Sequence, residues 1–288
     1  MLEFRKITPA DRTEILEYLK DNPSRICENT AGVILLWDVD ERIRYAVEDG
    51  TMYLAEIKDG KAIFYYPIGG DEEKALEKIE NFCRERKLTL HFRFLSAEQA
   101  EKVKTKFGQE GKPDRNWADY LYSAAELKTL SGKKFHGQKN FVNRFSREYP
   151  DHKFLPYEVK MRPLAEEFAE KFYDEENKDS RIFKEEKRIF CRILSEYAST
   201  GQTGGVLTVG GKIVAITFGE VVGDTLYVHF EKALREYKGS YAMINYLFVN
   251  SFKKPFDYVN REEDVGDEGL RQAKLNLHPV RLIEKFFT

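Results

Sequence analysis

The sequence has few of the features that mark secreted, membrane-spanning or zinc-binding proteins. Its three cysteines, Cys27, Cys83 and Cys191, lie far apart and form no CxxC pair, so neither a disulfide framework nor a zinc site is expected. Each cysteine is predicted to be a small buried hydrophobic residue. The longest purely apolar run extends only from Val33 to Trp37, whereas a membrane-spanning helix needs roughly 18 apolar residues.

An excess of charge of one sign is also missing. The 288 residues include 47 Lys and Arg against 49 Asp and Glu, a formal net charge of -2, so a nucleic-acid site would have to be a local patch. The first residues lack the apolar segment of a signal peptide, and a cytoplasmic protein is therefore expected. No Ser/His/Asp triad, P-loop or metal-ligand spacing occurs, and no metal is predicted.

Hydrophobic residues, by contrast, are abundant. They make up 42% of the chain, and 14% of the chain is aromatic, a composition that excludes a disordered protein. Because a single core stops growing at roughly 250–300 residues, two domains are expected. The polar Gly/Pro segment 108–115 is the predicted linker, and the domains are predicted to occupy residues 1–110 and 111–288.

The order of the predicted elements repeats along the chain. The first half contains an amphipathic helix at 71–87 between short strands. The second half again reads as strand, two helices, three strands, helix and strand, with turns at Gly210-Gly211 and Gly223-Asp224. This repetition predicts a tandem duplication of one α/β (α+β) domain.

Two stretches of sequence carry a family resemblance, one from Trp117 to Phe145 and the other from Asn260 to Lys274. With the element order, they resemble bacterial proteins that are similar to the C-terminal catalytic region of phosphatidylglycerol lysyltransferases. That region has two tandem domains of the GNAT (N-acyltransferase) fold, each a mixed, mostly antiparallel sheet flanked by helices. The resemblance implies an acyl- or aminoacyltransferase that takes its acyl group from aminoacyl-tRNA and passes it to a small amine or hydroxyl acceptor.

A basic segment, residues 131–148, is the first candidate site. Basic side chains neutralise phosphates and amide side chains position them, so this segment is a candidate for binding a phosphorylated donor or the end of a tRNA. The alternative is a solvated helix face anchored by Phe141 and Phe145, four residues apart. The candidate phosphate-binding residues are Lys133, His136, Lys139, Asn140, Asn143 and Arg144.

An acidic turn, residues 262–268, is the second candidate. The resemblance implies that it follows the strand at which GNAT folds splay open to admit substrate, and that Asp264 and Arg271 correspond to an acidic and basic pair that binds the acyl or acceptor group. The alternative is structural: Asp267 pairs with Arg271 four residues later, and acids gather at the N-terminus of a helix.

Glu231 and His229 form the third candidate, at the end of the predicted strand 225–230. Strand alternation places both on the face of Tyr227, and Glu231 is predicted to be the general base that deprotonates an attacking amine. The alternative is a hydrogen-bonded His229–Glu231 pair within the sheet. Further candidates are Tyr122, Tyr241 and Asn245.

The motif that binds acyl-CoA pyrophosphate is imperfect in this sequence. Acetyl-CoA enzymes have Arg or Gln, two residues, Gly, one residue, then Gly or Ala, whereas here Gly239 follows Arg235 one place late and Ser240 comes next. A backbone nest needs glycine where φ is positive and the phosphate comes close. Acyl-CoA, bound through Gly239 and Ser240, is therefore the alternative donor. A non-catalytic ligand-binding protein with degenerate GNAT domains is the second alternative.

Overall fold

Two mixed β-sheets organise the chain, one in each of two structural units. The computed structural model describes residues 2–20, 24–37, 42–176 and 181–288. The first unit contains the residues up to Asp119 together with Glu263–Asp267 and Leu282–Thr288, and the second contains Tyr120–Glu262 and Glu268–Arg281. The predicted boundary between residues 110 and 111 lies near the end of the main segment of the first unit, which extends to Asp119 and includes two short segments from the C-terminal half.

The first unit is built on a six-stranded sheet flanked by helices. Its strands are β1 (Arg5–Lys6), β2 (Ile43–Glu48), β3 (Thr51–Lys58), β4 (Lys61–Phe64), β5 (Ile68–Gly69) and β6 (Thr89–Phe92). The strand order is β1-β2-β3-β4-β6, with β5 paired to β3. Only β4 and β6 run parallel, and the other pairs are antiparallel. Its helices are α1 (Arg12–Leu19), α2 (Glu72–Arg86) and α3 (Ala97–Phe107).

Helix α2 confirms the amphipathic helix predicted at 71–87. Its N-cap residue, Asp71, accepts a hydrogen bond from the Lys74 amide at 3.2 Å, which satisfies one of the unpaired donors of the first turn. Its apolar residues pack into the core of the first sheet, where Ile79 and Phe82 lie among the buried side chains of β3 and β4. The spacing of apolar residues alone is therefore enough to identify this helix.

The second unit is built on a seven-stranded sheet. The strands of this sheet are β8 (Asp119–Ser123), β9 (Lys153–Pro156), β10 (Thr203–Val209), β11 (Lys212–Val222), β12 (Thr225–Ala233), β13 (Tyr258–Asn260) and β14 (Arg281–Ile283), of which Asp119 and the last two residues of β14 count with the first unit. Their order is β14-β8-β13-β12-β11-β10-β9, and β12 and β13 run parallel. Its helices are α4 (Ala124–Thr129), α5 (His136–Glu148), α6 (Arg162–Glu176), α7 (Arg181–Glu196), α8 (Ser240–Ser251) and α9 (Glu268–Leu275).

Helices cover both faces of the second sheet. On one face the ring of Phe190 in α7 stacks on Phe230 in β12, with centroids 4.5 Å apart. On the other face α8 packs so closely that a Cβ at Gly219 would lie 3.3 Å from the Phe248 ring. The predicted fold class is confirmed, since each unit has a mixed, mostly antiparallel sheet with flanking helices. None of the helices in the described residues is long and apolar enough to cross a membrane.

The chain after α9 ends in two short strands. After β14, the chain forms β15 (Phe286–Phe287), which pairs with β7 (Lys112–Pro113) in the first unit. Phe286 also exchanges backbone hydrogen bonds with Leu95, at 2.9 and 3.1 Å. This pairing explains why Leu282–Thr288 belongs to the first unit.

A buried charge cluster in the first unit fixes the same segment. The Lys285 ammonium, fully buried, lies 2.6 Å from Glu28, 2.7 Å from Asp119 and 3.3 Å from Glu263. Burial raises the pKa of Glu28 to about 8, reinforced by Asp119 and Glu263 and opposed by Lys285. The Cys27 thiol lies 3.3 Å from the ammonium. These side chains form the Lys285 cluster, in which one cation neutralises part of the charge of three carboxylates.

The cysteines only partly follow the prediction of small buried hydrophobic residues. Cys27 and Cys83 are buried, but Cys191 is exposed, because α7 turns Phe190 and Leu194 toward the core instead. Cys27 is also not in an apolar environment, since its sulfur lies 3.4 Å from carboxylate oxygens of both Glu28 and Asp119.

Replacing Lys285 with Met should strongly destabilise the protein, because it leaves three buried carboxylates without their cation. We expect the free energy of unfolding to fall by about 3–5 kcal/mol in urea titrations. The control is Lys58→Met, at a largely exposed lysine, which should cost less than about 1 kcal/mol. Equal losses for the two variants would contradict the central role of Lys285.

Candidate functional site

The strands β12 and β13 run side by side for only three residue pairs, ending at Tyr227 and Asn260. Strand β12 continues to Ala233 in register with β11, whereas the chain after Asn260 turns away. At this turn Glu262 has a positive φ of 58°, and its amide donates to Asn260 Oδ1 at 2.7 Å. Within the described residues the strands therefore part here, and we call this place the strand opening.

A β-bulge shapes β12 at the strand opening. Phe230 pairs with Phe218 and Val228 with Gly219, which leaves His229 as the extra residue. The backbone at the bulge comes so close that a Cβ at Gly219 would lie 2.2 Å from the Tyr227 carbonyl oxygen. Position 219 therefore accepts only glycine, and the bulge directs His229 to its partners.

His229 is buried between two carboxylates. Its Nδ1 lies 2.7 Å from Glu262 Oε1 and its Nε2 lies 2.9 Å from Glu220 Oε1. Because a carboxylate only accepts, both ring nitrogens donate, as in an imidazolium. Burial lowers the pKa of His229, but the hydrogen bonds and charges of Glu220 and Glu262 outweigh it and raise the pKa to about 9. His229 is therefore a fixed cation at neutral pH.

The structural alternative predicted a hydrogen-bonded His229–Glu231 pair, and the structure does not contain this pair. Glu231 Oε1 instead accepts a hydrogen bond from Arg261 Nη2 at 2.7 Å, and the Glu231 and Arg261 side chains are only 4% and 14% exposed. Arg261 is held in place by its own backbone, since its carbonyl accepts a hydrogen bond from Lys274 Nζ at 2.6 Å. The strand opening thus holds one buried ion pair, Glu231–Arg261, and one buried triad, Glu220–His229–Glu262.

Three of these residues were not singled out by the sequence reasoning. Glu262 opens the predicted acidic turn and Arg261 directly precedes it, but Asp264 was preferred because of the resemblance. Their position directly after the strand that precedes the acidic turn was the available signal, since residues alternate between the two faces of a strand. Glu220 had no such signal, because only the register of β11 against β12 brings it to His229.

The basic segment lies on α5 and on the turn before it. Lys133, His136, Lys139, Asn140 and Asn143 are exposed. Arg144 lies on the same helix and pairs with Glu148 at 2.7 Å. His136 Nδ1 lies 3.5 Å from Asn140 Nδ2.

The alternative for this segment was a solvated helix face anchored by both Phe141 and Phe145, and the structure differs from it. Phe145 is fully buried, but Phe141 is 48% exposed, so only Phe145 anchors the helix. The helix therefore presents to solvent a face that is both basic and aromatic.

Gly239 and Ser240 are not arranged to hold a CoA pyrophosphate. Gly239 is the N-cap of α8 with φ of 92°, but a Cβ there would lie 2.7 Å from the Phe141 carbonyl oxygen, so the backbone of α5 covers this end of α8. Ser240 is buried, and its hydroxyl donates to the Leu234 carbonyl at 3.0 Å.

Asp264 and Arg271 belong to different units, and each has a partner in its own unit. In the first unit Asp264 is fully buried and accepts hydrogen bonds from Arg115 Nη1 at 3.0 Å and from the Gly266 amide at 2.9 Å. In the second unit Arg271 pairs with Glu268 at 3.0 Å on α9. On α9 Arg271 contacts Glu268, three residues earlier in the chain, and the Asp267–Arg271 pair of the structural alternative stays a prediction.

One group of metal-type ligands occurs in the described part of the chain, although the sequence spacing predicted no metal site. Ligand atoms of Cys27, Asp119 and Glu263 lie within 4.8 Å of one another in the first unit. The Lys285 ammonium occupies the same place, 2.7 Å from Asp119. A resident cation therefore already balances this group.

Comparisons with known proteins agree with the fold. The family model described as "Phosphatidylglycerol lysyltransferase, C-terminal" matches residues 20–288. A conserved protein of unknown function from Bacteroides thetaiotaomicron is 32% identical, with a TM-score of 0.90 over 100% of this chain and 99% of that one. The structure of L-PGS from Bacillus licheniformis has a TM-score of 0.70 at 14% identity, covering 98% of this chain and 91% of that one.

A curated relative is more distant. An uncharacterized protein of Mycoplasmoides gallisepticum is 24% identical over 200 residues, which is 67% of this chain and 62% of that protein. The match therefore spans less than two thirds of that relative's length.

Acetyl-CoA should bind weakly or not at all, because α5 covers the N-cap of α8 and the Ser240 hydroxyl is already bonded. We expect a dissociation constant above roughly 100 μM by isothermal titration calorimetry. Micromolar binding would show that α5 moves away and would make acyl-CoA the preferred donor.

The protonated His229 should make stability depend on pH. Because the pKa of His229 is about 9 in the folded state and about 6.5 in an unfolded chain, its contribution is fully present below pH 6.5 and is lost as the pH rises through 9. Urea unfolding of wild type and His229→Gln, between pH 6 and 10, should show a difference that shrinks with rising pH. His136→Gln, at an exposed histidine, should follow wild type, and a constant difference for His229→Gln would contradict this assignment.

Proposed function

This chain belongs to the family of phosphatidylglycerol lysyltransferase C-terminal domains, and on that premise we propose that it transfers an aminoacyl group from aminoacyl-tRNA to an amine or hydroxyl acceptor. The observation that carries the proposal is the strand opening of the second unit. The β12–β13 ladder stops at Tyr227, and the charged side chains that follow, His229 and Glu231 on β12 and Arg261 and Glu262 after β13, are largely removed from solvent. Burying such charges costs free energy that pairing offsets only in part. Their presence here therefore favours a functional role.

The reaction needs positioning and one proton transfer. The acceptor nitrogen or oxygen attacks the carbonyl carbon of the ester that joins the amino acid to the tRNA ribose. A new amide or ester bond forms, the old carbon–oxygen bond breaks, and the ribose oxygen leaves as a hydroxyl. Glu231 takes the acceptor's proton and returns it to the leaving oxygen. His229 cannot share this role while both its nitrogens donate to carboxylates.

The basic face of α5 supports a donor that carries phosphates. Lys133, Lys139 and Asn140 are exposed on the same unit as the strand opening, and the positive charge of this segment is local in a chain of net charge -2. We assign these residues, with His136, Asn143 and Arg144, to the tRNA backbone.

Asp264 and Arg271, the pair implied by the family resemblance, are assigned different roles. Arg271 lies on α9 in the second unit, and we assign it to the acceptor. The buried Asp264 is assigned to ordering the turn that contains Gly266, whose amide it binds.

Acyl-CoA transfer is the second candidate, and it is disfavoured by the covered N-cap at Gly239. A non-catalytic ligand-binding role is the third. It predicts donor binding without turnover, and is therefore separated from the other two by any measured transfer.

Glu231→Gln should abolish most of the transfer, because the amide cannot accept the proton. Single-turnover assays with charged tRNA and an amine acceptor should show a rate at least about 100-fold lower, which is typical of a lost general base. Glu166→Gln is the matched control, since Glu166 forms an exposed pair with Arg162 at the same 2.7 Å. A wild-type rate for Glu231→Gln would remove Glu231 from the proposed reaction.

Lys139→Ala should weaken tRNA binding without affecting stability, because the side chain is exposed. Losing one phosphate contact should reduce the slope of log K against log salt by about 1. Fluorescence titrations at several salt concentrations measure this slope, with Lys160→Ala as the control at an exposed lysine outside the basic segment. An unchanged slope, or unfolding of Lys139→Ala, would give α5 a structural role instead.

A further inference from the structure

Four side chains at and beside the Glu231–Arg261 pair are among those in the second unit that retain buried polar atoms with no hydrogen-bond partner in the described residues. These atoms are Glu231 Oε2, Arg261 Nε, Arg261 Nη1, Asn245 Nδ2 and Thr217 Oγ1. Folded proteins pair roughly 90% or more of their buried polar groups. Several such atoms in one unit therefore indicate a polar partner that comes from outside the chain.

The four residues share one face of the sheet. Thr217 is the direct cross-strand neighbour of Glu231, so their side chains point the same way, and Glu231 binds Arg261. Gly219, two residues after Thr217, packs against Phe248 of α8, and Asn245 lies three residues before Phe248 on that helix. Burial lowers the pKa of Arg261, but Glu231 and more weakly Tyr241, one turn before Asn245, raise it, in keeping with a position of α8 on this face.

The chemistry of the five atoms restricts the partner. Three nitrogen atoms donate, one carboxylate oxygen accepts, and one hydroxyl does either. A phosphate would satisfy the donors but would be repelled by Glu231. A metal cation would be repelled by Arg261, and an apolar acyl chain would leave every atom unpaired. A carbonyl oxygen that gains negative charge accepts hydrogen bonds from the donors, and a neighbouring group that loses its proton supplies that proton to the carboxylate. Together these two groups match the chemistry of all five atoms.

Building on the proposed function, we infer that Arg261 and Asn245 bind and stabilise the oxyanion that forms when the acceptor attacks the aminoacyl ester. The carbonyl electron pair moves to oxygen as the new bond forms, and the N–H groups of Arg261 and Asn245 donate to that oxygen. The acceptor's proton moves to Glu231 Oε2 at the same time. When the carbonyl re-forms, the ribose oxygen leaves and takes that proton. Preorganised donors of this kind act mainly on the transition state.

The kinetic signature of this role is a loss in kcat with little change in KM for aminoacyl-tRNA. Arg261→Lys removes the two unpartnered guanidinium donors while keeping the charge near Glu231. We expect kcat to fall at least about 100-fold, as for the loss of one oxyanion donor, and KM to change less than about threefold. Arg162→Lys is the matched control, because Arg162 forms the same 2.7 Å pair with a glutamate on the surface.

Two further variants guard against simple misfolding of Arg261→Lys. Asn245→Leu and Thr217→Val remove unpartnered polar atoms and keep nearly the same volume, so each should raise or preserve Tm. Asn245→Leu should nevertheless lower kcat about 100-fold. Adding guanidinium to Arg261→Ala should restore part of kcat, which a purely structural arginine would not allow.

The outcomes separate this inference from the proposed function. Transfer by wild type with normal kcat in Arg261→Lys and Asn245→Leu would overturn the oxyanion site and leave the function in place. Lower Tm in Asn245→Leu and Thr217→Val would show that an internal water or side chain already satisfies these atoms, and would also overturn it. No transfer by wild type with any charged tRNA would overturn the function itself.

Discussion

The early end of the β12–β13 ladder is the constraint on which the second unit depends. Beyond Tyr227 and Asn260 the two strands no longer share backbone hydrogen bonds, and charged side chains take their place. Because successive residues point to opposite faces, Arg261 meets Glu231 on the α8 face, whereas Glu262 meets His229 on the other. The bulge at His229 and the glycine at position 219 are further consequences, since they let β12 bend while it stays paired with β11.

The charges at the strand opening contribute little to the stability of the fold. A buried ion pair rarely stabilises a fold more than apolar residues of equal volume would, and the atoms of Glu231 and Arg261 without partners add to the cost. Sites that hold charges for a reaction commonly lower the stability of the fold. The electrostatic arrangement is therefore better explained by a reacting group than by the requirements of the fold.

Local pattern predicted most of the fold and little of the site. The period of apolar residues identified α2, and the glycine turns at Gly210-Gly211 separated β10 from β11 as expected. Phe141 and Cys191 look equally apolar in sequence, yet both are exposed, because only packing decides which face of a helix turns inward. Glu231 was found by its place on a strand, but its partner Arg261 depends on where two strands part, which no local pattern records.

The Lys285 cluster has a consequence for how the protein is made. Its carboxylates come from Glu28, Asp119 and Glu263, but the ammonium that balances them belongs to residue 285. During synthesis the first sheet emerges from the ribosome long before that lysine. Until then the early core holds acids without their counter-ion, and β7 is without its partner strand. The first unit is thus the earlier of the two to be translated, yet it cannot complete its core until the second has been made.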